Sequence, residues 1–286
     1  MAGTLYVVAT PIGNLEDFTF RARRILGEVD LIAAEDTRRT SKLLAHYEIR
    51  KPLLSLHEHN EFAESPRLVA RLMAGQSIAL VTDAGTPAVA DPGARLVRAA
   101  RAAQIPIVPI PGASAVTTML SVAGSETPEF TFYGFPPVKG KARQDWFNRL
   151  AETKHTSIFF EAPHRIRQTL DECLKCLVNK HILIGRELTK MNEELVERPN
   201  NQYLDINKDI GEFVIAVMDV SDVTAEEIKT AEVQQQALDL FESIAASPLI
   251  SHDLAVELTA LKLNLSATDA KKAIKKAKIL VKQQNN

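Results

Sequence analysis

Three segments of the sequence place glycine and proline directly after an apolar run, a combination typical of ligand-binding loops. They are residues 9–14 (ATPIGN), 78–93 (IALVTDAGTPAVADPG) and 109–115 (PIPGASA). Glycine lets the main chain approach a ligand closely, and proline fixes the turn around it. None of the three has the spacing of a dinucleotide-binding GxGxxG motif or a phosphate-binding GxxxxGKS/T motif, so neither of those functions is favoured.

Two further patterns could carry metal or redox chemistry, and neither is favoured. His57 and His59 flank Glu58 in a predicted turn, but no third ligand is predicted beside them, so a zinc site is not expected. Cys173 and Cys176 are the only cysteines and form a single CxxC pair inside a predicted helix. Without a second pair or a redox-motif context, they are expected to be buried or idle thiols.

Apolar runs alternate along the chain with segments of helical period, and this pattern predicts a parallel α/β sheet whose strands and helices hold these loops. The predicted strands are 5–9, 31–34, 52–56, 78–81 and 105–110. The predicted helices are 20–26, 41–47, 63–73, 94–103 and 114–122. Because the carboxyl ends of parallel strands line one crevice, the three loops are expected to converge there.

A second unit is predicted to begin after a linker at residues 124–128, which holds Gly124 and Pro128. Apolar runs at 129–133, 157–160, 182–185, 194–197 and 213–220, with helical stretches at 142–151 and 164–178, predict a second, mixed sheet. After residue 222 the pattern is helical, and Ser266 followed by Asp269 has the signature of a helix start. The predicted organisation is an N-terminal parallel α/β domain (1–122), a mixed-sheet α/β domain (123–222) and a helical, helix-turn-helix-like C-terminal segment (223–286).

Length and composition set the class of protein. The 286 residues, 45% hydrophobic and 24% charged, suffice for two cores and are ordinary for a globular protein. No apolar run approaches the roughly 20 residues that span a membrane, and the N-terminal residues lack the basic flank and long apolar segment of a secretion signal. We therefore expect a cytoplasmic protein with no membrane contact.

Positive charge is unevenly distributed along a chain whose net charge is only −2. From Lys262 to the end there are seven lysines and one acid, Asp269. Clustered cations beside a ligand pocket predict a phosphate-contacting surface, because neutralising the RNA backbone dominates affinity for RNA. The candidate RNA contacts are Arg21, Arg23, Arg24, Arg38, Arg39, Lys42, Lys139, Lys141, Arg143, Lys271 and Lys275.

The lysine-rich helix that holds Lys271 and Lys275 has an alternative interpretation of comparable weight. It could be a solvated helix that covers the second domain or stabilises a dimer. Phe18, Phe20 and Tyr133 are likewise candidates for stacking on an extruded base, with core packing as the alternative for each.

The order of several motifs resembles the tetrapyrrole methylase family over roughly residues 4–220. The combination is much more specific than any single motif. It consists of ATPIGNLEDFTFRA (9–22), AEDTRRT (34–40), SLHEHNE (55–61), LVTDAGTPAVADPG (80–93), PIPGASA (109–115), FYGFPPVKGKAR (132–143) and FFEAPHR (159–165).

This resemblance implies two α/β domains with S-adenosylmethionine bound in the cleft between them, and usually a homodimer. Within the family the motifs are most similar to members that methylate ribosomal RNA. The implied reaction is methyl transfer to the 2′-hydroxyl of a decoding-region cytidine in 16S ribosomal RNA, with the small ribosomal subunit as partner.

The family pattern also implies which residues surround the cofactor. The loop after the first strand supplies one wall, the loop after the fourth strand supplies the second, and the end of a strand in the second domain closes over the adenosine. Carried onto this sequence, the cofactor residues are Pro11, Asp83, Gly85, Thr86, Pro87, Ala88, Ala113, Ser114, Phe160 and Glu161.

The implied reaction would benefit from a base, because a ribose hydroxyl is a weak nucleophile until its proton is removed. Glu35 and Asp36, at the end of the second predicted strand, are the catalytic candidates. Asp36 is at least as well suited to cap the helix that follows it. Further titratable candidates follow the third predicted strand, at His57, Glu58, His59 and Glu61.

Two other functions fit parts of the sequence. A small-molecule methylase that acts on a porphyrin-like ring would share the fold but would not need the basic clusters or the lysine-rich tail. A non-enzymatic RNA-binding or ribosome-assembly protein would bind RNA without binding the cofactor.

Overall fold

The computed structural model describes residues 2–125, 127–177, 180–198, 209–219, 225–245, 251–263, 265–266 and 268–275. By its internal contacts the chain divides into two compact units, Met1–Asp219 and Val220–Asn286. The first unit contains two five-stranded sheets, and the second is helical in its described part. No helix in these ranges is both long enough and apolar enough to cross a lipid bilayer.

The first sheet is fully parallel, with strand order β3-β2-β4-β1-β5. Helices cover both faces, and this explains why the central strands are apolar on both faces. The elements in chain order are β1 (Leu5–Val8), α1 (Phe20–Glu28), β2 (Leu31–Ala34), α2 (Thr37–His46), β3 (Leu53–Ser55), α3 (Glu61–Met73), β4 (Ile78–Val81), α4 (Ala94–Ala102), β5 (Ile107–Ile110) and α5 (Ala115–Ala123).

This strand order brings the carboxyl ends of β1, β4 and β5 side by side, so the three glycine- and proline-containing loops emerge together. Two of the loops are joined directly. The Thr10 amide donates to the Gly85 carbonyl at 2.9 Å, and the Gly85 amide donates to the Thr10 carbonyl at 3.0 Å. The predicted convergence of these loops is confirmed.

The second sheet is mixed, as the sequence predicts, with order β6-β7-β10-β8-β9. Only β6 and β7 run parallel, and the other pairs are antiparallel. Its elements are β6 (Phe130–Phe132), α6 (Lys141–Glu152), β7 (Thr156–Glu161), α7 (Ile166–Cys176), β8 (Lys180–Arg186), β9 (Glu194–Arg198) and β10 (Phe213–Asp219).

Each face of the second sheet has its own core. On one face α6 and α7 bury Trp146 and Phe159. The other face packs against α5, where Met119 and Val116 meet Ile158. The last helix of the first half of the chain therefore belongs to the core that joins the two sheets.

Helix α2 begins with polar residues, so the apolar periodicity of the sequence does not reveal its first residue. The prediction began this helix at Ser41, whereas the structure begins it at Thr37, four residues earlier. Asp36 caps it by accepting a hydrogen bond from the Arg38 amide at 2.8 Å, which replaces one of the missing intrahelical partners. The capping role expected for Asp36 is confirmed.

The second unit has a separate small core. It contains α8 (Ala225–Ala245), α9 (His252–Lys262) and a helical stretch at 268–275. Phe241, Val256 and Ile274 are buried together. The hydroxyl of Ser266 accepts from the Asp269 amide at 3.1 Å, which confirms the predicted helix start. The remaining predicted lysine-rich residues, from 276 onward, lie outside the described residues.

Candidate active site

A cavity of about 380 Å³ lies between the two sheets, at the carboxyl edge of the first. Its walls are mostly apolar, with Ile12 and Val116 on one side and Leu188, Val214 and Phe160 on the other. The remaining lining residues are Ala84, Gly85, Thr86, Val89, Asp91, Ser114, Ala115, Phe135, Glu161, Ala162, Pro163, Glu212 and Phe213. An apolar cavity of this size with a few convergent polar groups is typical of a small-molecule site.

The loop after β4 reaches the cavity through an unusual backbone. Gly85 has φ +79°, and the non-glycine residues Ala88 and Ala90 have φ 67° and 61°. The Ala88 amide donates to the Pro92 carbonyl at 3.2 Å, which closes the turn. Such conformations cost free energy and persist when the surroundings hold them in place, and they are frequent at ligand sites.

A second cavity of about 340 Å³ adjoins the first and is lined by more polar side chains. Ile12, Ala84 and Glu212 line both cavities. The second cavity is lined in addition by Thr10, Pro11, Gly13, Leu15, Arg39, Thr40, Lys42, Leu43, His46, Thr82, Asp83 and Lys190.

The residues predicted to bind the cofactor fall into three groups in the structure. Gly85, Thr86, Ser114, Phe160 and Glu161 line the larger cavity. Two others, Pro11 and Asp83, line the second. The last three, Pro87, Ala88 and Ala113, are absent from both sets of lining residues.

Glu161 is held by the protein itself. Its side chain is buried, and its carboxylate is paired with Arg165 and accepts a hydrogen bond from the Thr169 hydroxyl. The Ala162 amide also donates to it, at 2.7 Å. Next to it, the ring of Phe160 lies 5.5 Å from the half-exposed ring of Phe135, and together they form an aromatic wall of the larger cavity.

The two predicted catalytic acids point to structural partners. Glu35 accepts from the Thr82 hydroxyl at 2.6 Å and from the Asp83 amide at 3.3 Å. Asp36 accepts from the side chain of Arg38 at 3.0 and 2.7 Å. The hydrogen bond from Arg38 holds the pKa of Asp36 well below its usual range. Neither Glu35 nor Asp36 is among the residues that line the two cavities.

Asp91 is a further carboxylate of the site, and it was not among the predicted site residues. It lines the larger cavity, and burial raises its pKa to about 6. The neighbouring carboxylates of Glu35 and Asp83 contribute to this increase, and a hydrogen bond from the Thr82 hydroxyl opposes it. Its place in the strand-end segment 78–93 was the available signal, but nothing local in the sequence distinguishes it from Asp83.

Asp83 connects the strand ends. Its Oδ1 accepts from the Asp36 amide at 3.0 Å, and its Oδ2 lies 3.4 Å from Nη1 of Arg39. Burial and the nearby Glu35 raise the pKa of Asp83. The N-cap and the third residue of α2 are thereby tied to the loop after β4.

Ten of the eleven predicted RNA contacts are exposed, and the eleventh, Arg143, is buried. The side chains of Arg21, Arg23, Arg24, Arg38, Arg39, Lys42, Lys139, Lys141, Lys271 and Lys275 reach the surface. Arg143, in contrast, is only 5% exposed. It donates to Glu172 at 2.7 Å, to the Pro137 carbonyl at 2.8 Å and to the Thr169 hydroxyl at 2.8 Å. Its donors are used inside the fold, so the prediction that Arg143 contacts RNA is wrong.

The three aromatic candidates for base stacking differ in how far they are exposed to solvent. Phe18 is buried against Tyr47, with ring centroids 4.9 Å apart. Tyr133 packs on Trp146 and hydrogen-bonds Thr153 at 2.6 Å. Phe20 alone among the three is open to solvent, with 93% of its surface exposed.

The described residues contain no group of three or more His, Cys, Asp or Glu side chains that could hold a metal ion. Cys173 is buried and Cys176 half-buried, both as free thiols. Burial raises the pKa of each thiol, so neither has the thiolate character of a reactive cysteine.

The model of the family Tetrapyrrole (Corrin/Porphyrin) Methylases matches residues 4–202. The chain belongs to this family, and the two sheets with their shared cavity have the fold that its motifs predict.

Two relatives are similar over most of their length. One is the ribosomal RNA small subunit methyltransferase I of Pasteurella multocida, 44% identical over 256 residues, which cover 86% of this chain and 91% of that protein. The other is the protein of the same name from Escherichia coli O157:H7, 41% identical over 272 residues, or 92% of each chain.

Among solved structures, the fold is similar to uroporphyrin-III C-methyl transferase from Thermus thermophilus complexed with S-adenyl homocysteine. The TM-score is 0.52 and the sequence identity 16%, over 77% of this chain and 100% of that chain. At this identity the likeness establishes the fold alone.

Proposed function

We propose that this protein is an S-adenosylmethionine-dependent methyltransferase of small-subunit ribosomal RNA, acting on the 2′-hydroxyl of a cytidine in the decoding region. The observation that carries the proposal is the pair of adjoining cavities, one apolar and one polar, that share Ile12, Ala84 and Glu212. A transferase needs two such sites in contact, one for each reactant. The names of the relatives supply the class of acceptor.

The larger cavity fits the cofactor. Its apolar walls suit an adenine ring, and Ser114 and Thr86 offer polar groups at its edge. Asp91 adds a carboxylate to an otherwise apolar surface, where it can face a cation. When bound, S-adenosylmethionine supplies an activated methyl group on a positively charged sulfur.

The protein contributes positioning and proton acceptance. Much of the rate enhancement of such a displacement comes from holding nucleophile and electrophile in contact. Asp91 is the candidate base, because it lies on the cavity surface and has a pKa of about 6, close to the pH at which it would work. The role predicted for Glu35 and Asp36 stays a prediction, and their hydrogen bonds favour a positioning function for both.

The outer surface offers a way to hold RNA. Helix α1, which follows the loop after β1, exposes Phe20 beside Arg21, Arg23 and Arg24. An exposed aromatic ring beside cations suits single-stranded RNA, because bases stack on the ring while the cations contact phosphates. We also propose that the protein forms a homodimer, as the resemblance implies, and that it is cytoplasmic, as the sequence predicts.

The principal test is transfer of tritiated methyl from S-adenosylmethionine to small ribosomal subunits that lack the modification. We expect labelled 2′-O-methylcytidine after nuclease digestion and mass spectrometry, with large subunits as the unlabelled control. Cofactor binding by calorimetry without any label on RNA would instead favour a small-molecule methylase. RNA binding without cofactor binding would favour a non-enzymatic assembly protein.

A further inference from the structure

One face of α2 forms a cationic wall of the second cavity. Arg39, Lys42 and His46 are spaced three and four residues apart, which places them in line along the same side of the helix. Arg39 is partly engaged by Asp83, at 3.4 Å. Lys42 is exposed, and no carboxylate in the described part of the chain lies within ion-pair distance of it.

The opposite wall comes from the second sheet. Lys190 follows β8 and is fixed by Glu187 at 2.7 Å and Glu212 at 3.1 Å. Its aliphatic stem lies over the first loop so closely that a Cβ added to Gly13 would be 2.3 Å from the Lys190 Cγ. The Asn14 amide donates to the Thr189 hydroxyl at 3.1 Å and ties the same two loops together. The second cavity therefore has basic side chains on two sides, and its two walls are joined by a hydrogen bond between their loops.

The second cavity shares a boundary with the first. Because Ile12 and Ala84 line both cavities, a molecule in the second can touch a molecule in the first. The two cavities differ in chemistry. The first is mainly apolar, whereas Arg39, Lys42, His46 and Lys190 line the second. Asp83 and Glu212 line it too and already pair with Arg39 and Lys190, so among the described residues of this lining Lys42 is the cation with room for an anionic ligand.

We propose that the second cavity binds the ribose and adjoining phosphate of the nucleotide to be methylated, with Lys42 as a phosphate contact. This inference rests on the proposed function and assigns the acceptor to one cavity and the cofactor to the other. A lysine on this helical face suits a phosphate because its ammonium is a compact point charge with three donors.

The proposal is tested by reversing one charge. Lys42→Glu replaces a phosphate contact by a repelling carboxylate, and Lys175→Glu makes the same change at an exposed position of α7 outside both cavities. For each full-length variant, the cofactor Kd is measured by calorimetry, and kcat and KM are measured for methyl transfer to small ribosomal subunits.

We expect Lys42→Glu to raise the KM for the subunits at least tenfold with an unchanged cofactor Kd, whereas Lys175→Glu leaves both constants unchanged. Lys42→Arg, which keeps the charge, should restore most of the lost affinity. Equal KM values for Lys42→Glu and Lys175→Glu would overturn the assignment, as would a tenfold weaker cofactor Kd in Lys42→Glu. If the wild-type protein labels no ribosomal RNA at all, the proposed function itself fails, and that outcome is distinct from these.

Discussion

Two aspartates in neighbouring loops show how the environment of a single residue decides its chemistry. Asp36 caps α2 and is held by the Arg38 guanidinium, so its carboxylate is already committed. Asp91 lies in the larger cavity, where burial raises its pKa to about 6. The same side chain is thus a structural cap in one position and a candidate proton acceptor in the other.

We predict that Asp91→Asn stabilises the protein at neutral pH. In the unfolded chain an aspartate has a pKa near 3.9. Because the folded-state pKa of Asp91 is higher, at about 6, the folded protein binds this proton more tightly. Stability is therefore lost as pH rises from about 4 to about 6 and stays reduced above that range.

Asparagine cannot ionise, so the variant should gain roughly 1 kcal/mol at pH 7.5, a value discounted for partial solvent exposure, and nothing at pH 3.5. Urea unfolding at the two pH values measures the difference. The same variant should lose methyl transfer, because asparagine cannot accept the proton of the ribose hydroxyl. A gain in stability that is equal at both pH values would contradict the titration argument.

At the scale of elements, the loop after β4 combines two requirements in a few residues. Gly85 gives both of its backbone groups to Thr10, which fixes this loop to the loop after β1. It does so at φ +79°, a conformation that other residues adopt only at a cost. An added Cβ would meet Ile12 at 3.4 Å, which is ordinary contact, so backbone strain rather than a clash decides the effect of a substitution.

We predict that Gly85→Ala weakens cofactor binding about tenfold, equivalent to about 1.4 kcal/mol, because strain displaces the loop that carries Thr86. Gly124→Ala is the matched control. Gly124 has φ +68° at the end of α5, and an added Cβ there would meet no atom within 4 Å, so Gly124→Ala should cause a similar loss of stability, about 1 kcal/mol.

Calorimetry with S-adenosylmethionine and urea unfolding separate the two effects. If both variants lose stability and neither changes the cofactor Kd, the larger cavity is not the cofactor site.

At the scale of the whole molecule, the lining residues of both cavities lie before Asp219, in the first compact unit. The helical unit from Val220 onward has its own core around Phe241 and Val256. A chain that lacks the second unit therefore keeps every residue that lines the two cavities.

We predict that a chain ending at Asp219 keeps its cofactor Kd within about twofold but has a higher KM for small ribosomal subunits, since lost phosphate contacts weaken RNA binding and its salt dependence. Full-length Lys271→Glu/Lys275→Glu should show the same increase in KM if these lysines are the contacts. A truncated chain with an unchanged KM would show that the helical unit does not contact the RNA.

Features that depend on residues close together along the chain could be predicted from the sequence. Alternating apolar and helical segments predicted both sheets, including the mixed second one, and Asp36 and Ser266 were readable as helix caps. Glycine and proline after apolar runs predicted the loops that converge at the carboxyl edge of the first sheet. These signals are local, because periodicity, capping and turn formation act over a few residues.

Which of these residues lie next to each other in space became known from the folded structure. The sequence suggested that Arg143 is an exposed cation, but in the fold its side chain donates hydrogen bonds to Glu172 and Thr169. Lys190 lines the second cavity, where a hydrogen bond joins its neighbour Thr189 to Asn14, 175 residues away along the chain. Asp91 gained its raised pKa from burial between distant segments. Desolvation and charge pairing depend on neighbours in space, and the order of residues along the chain does not specify those neighbours.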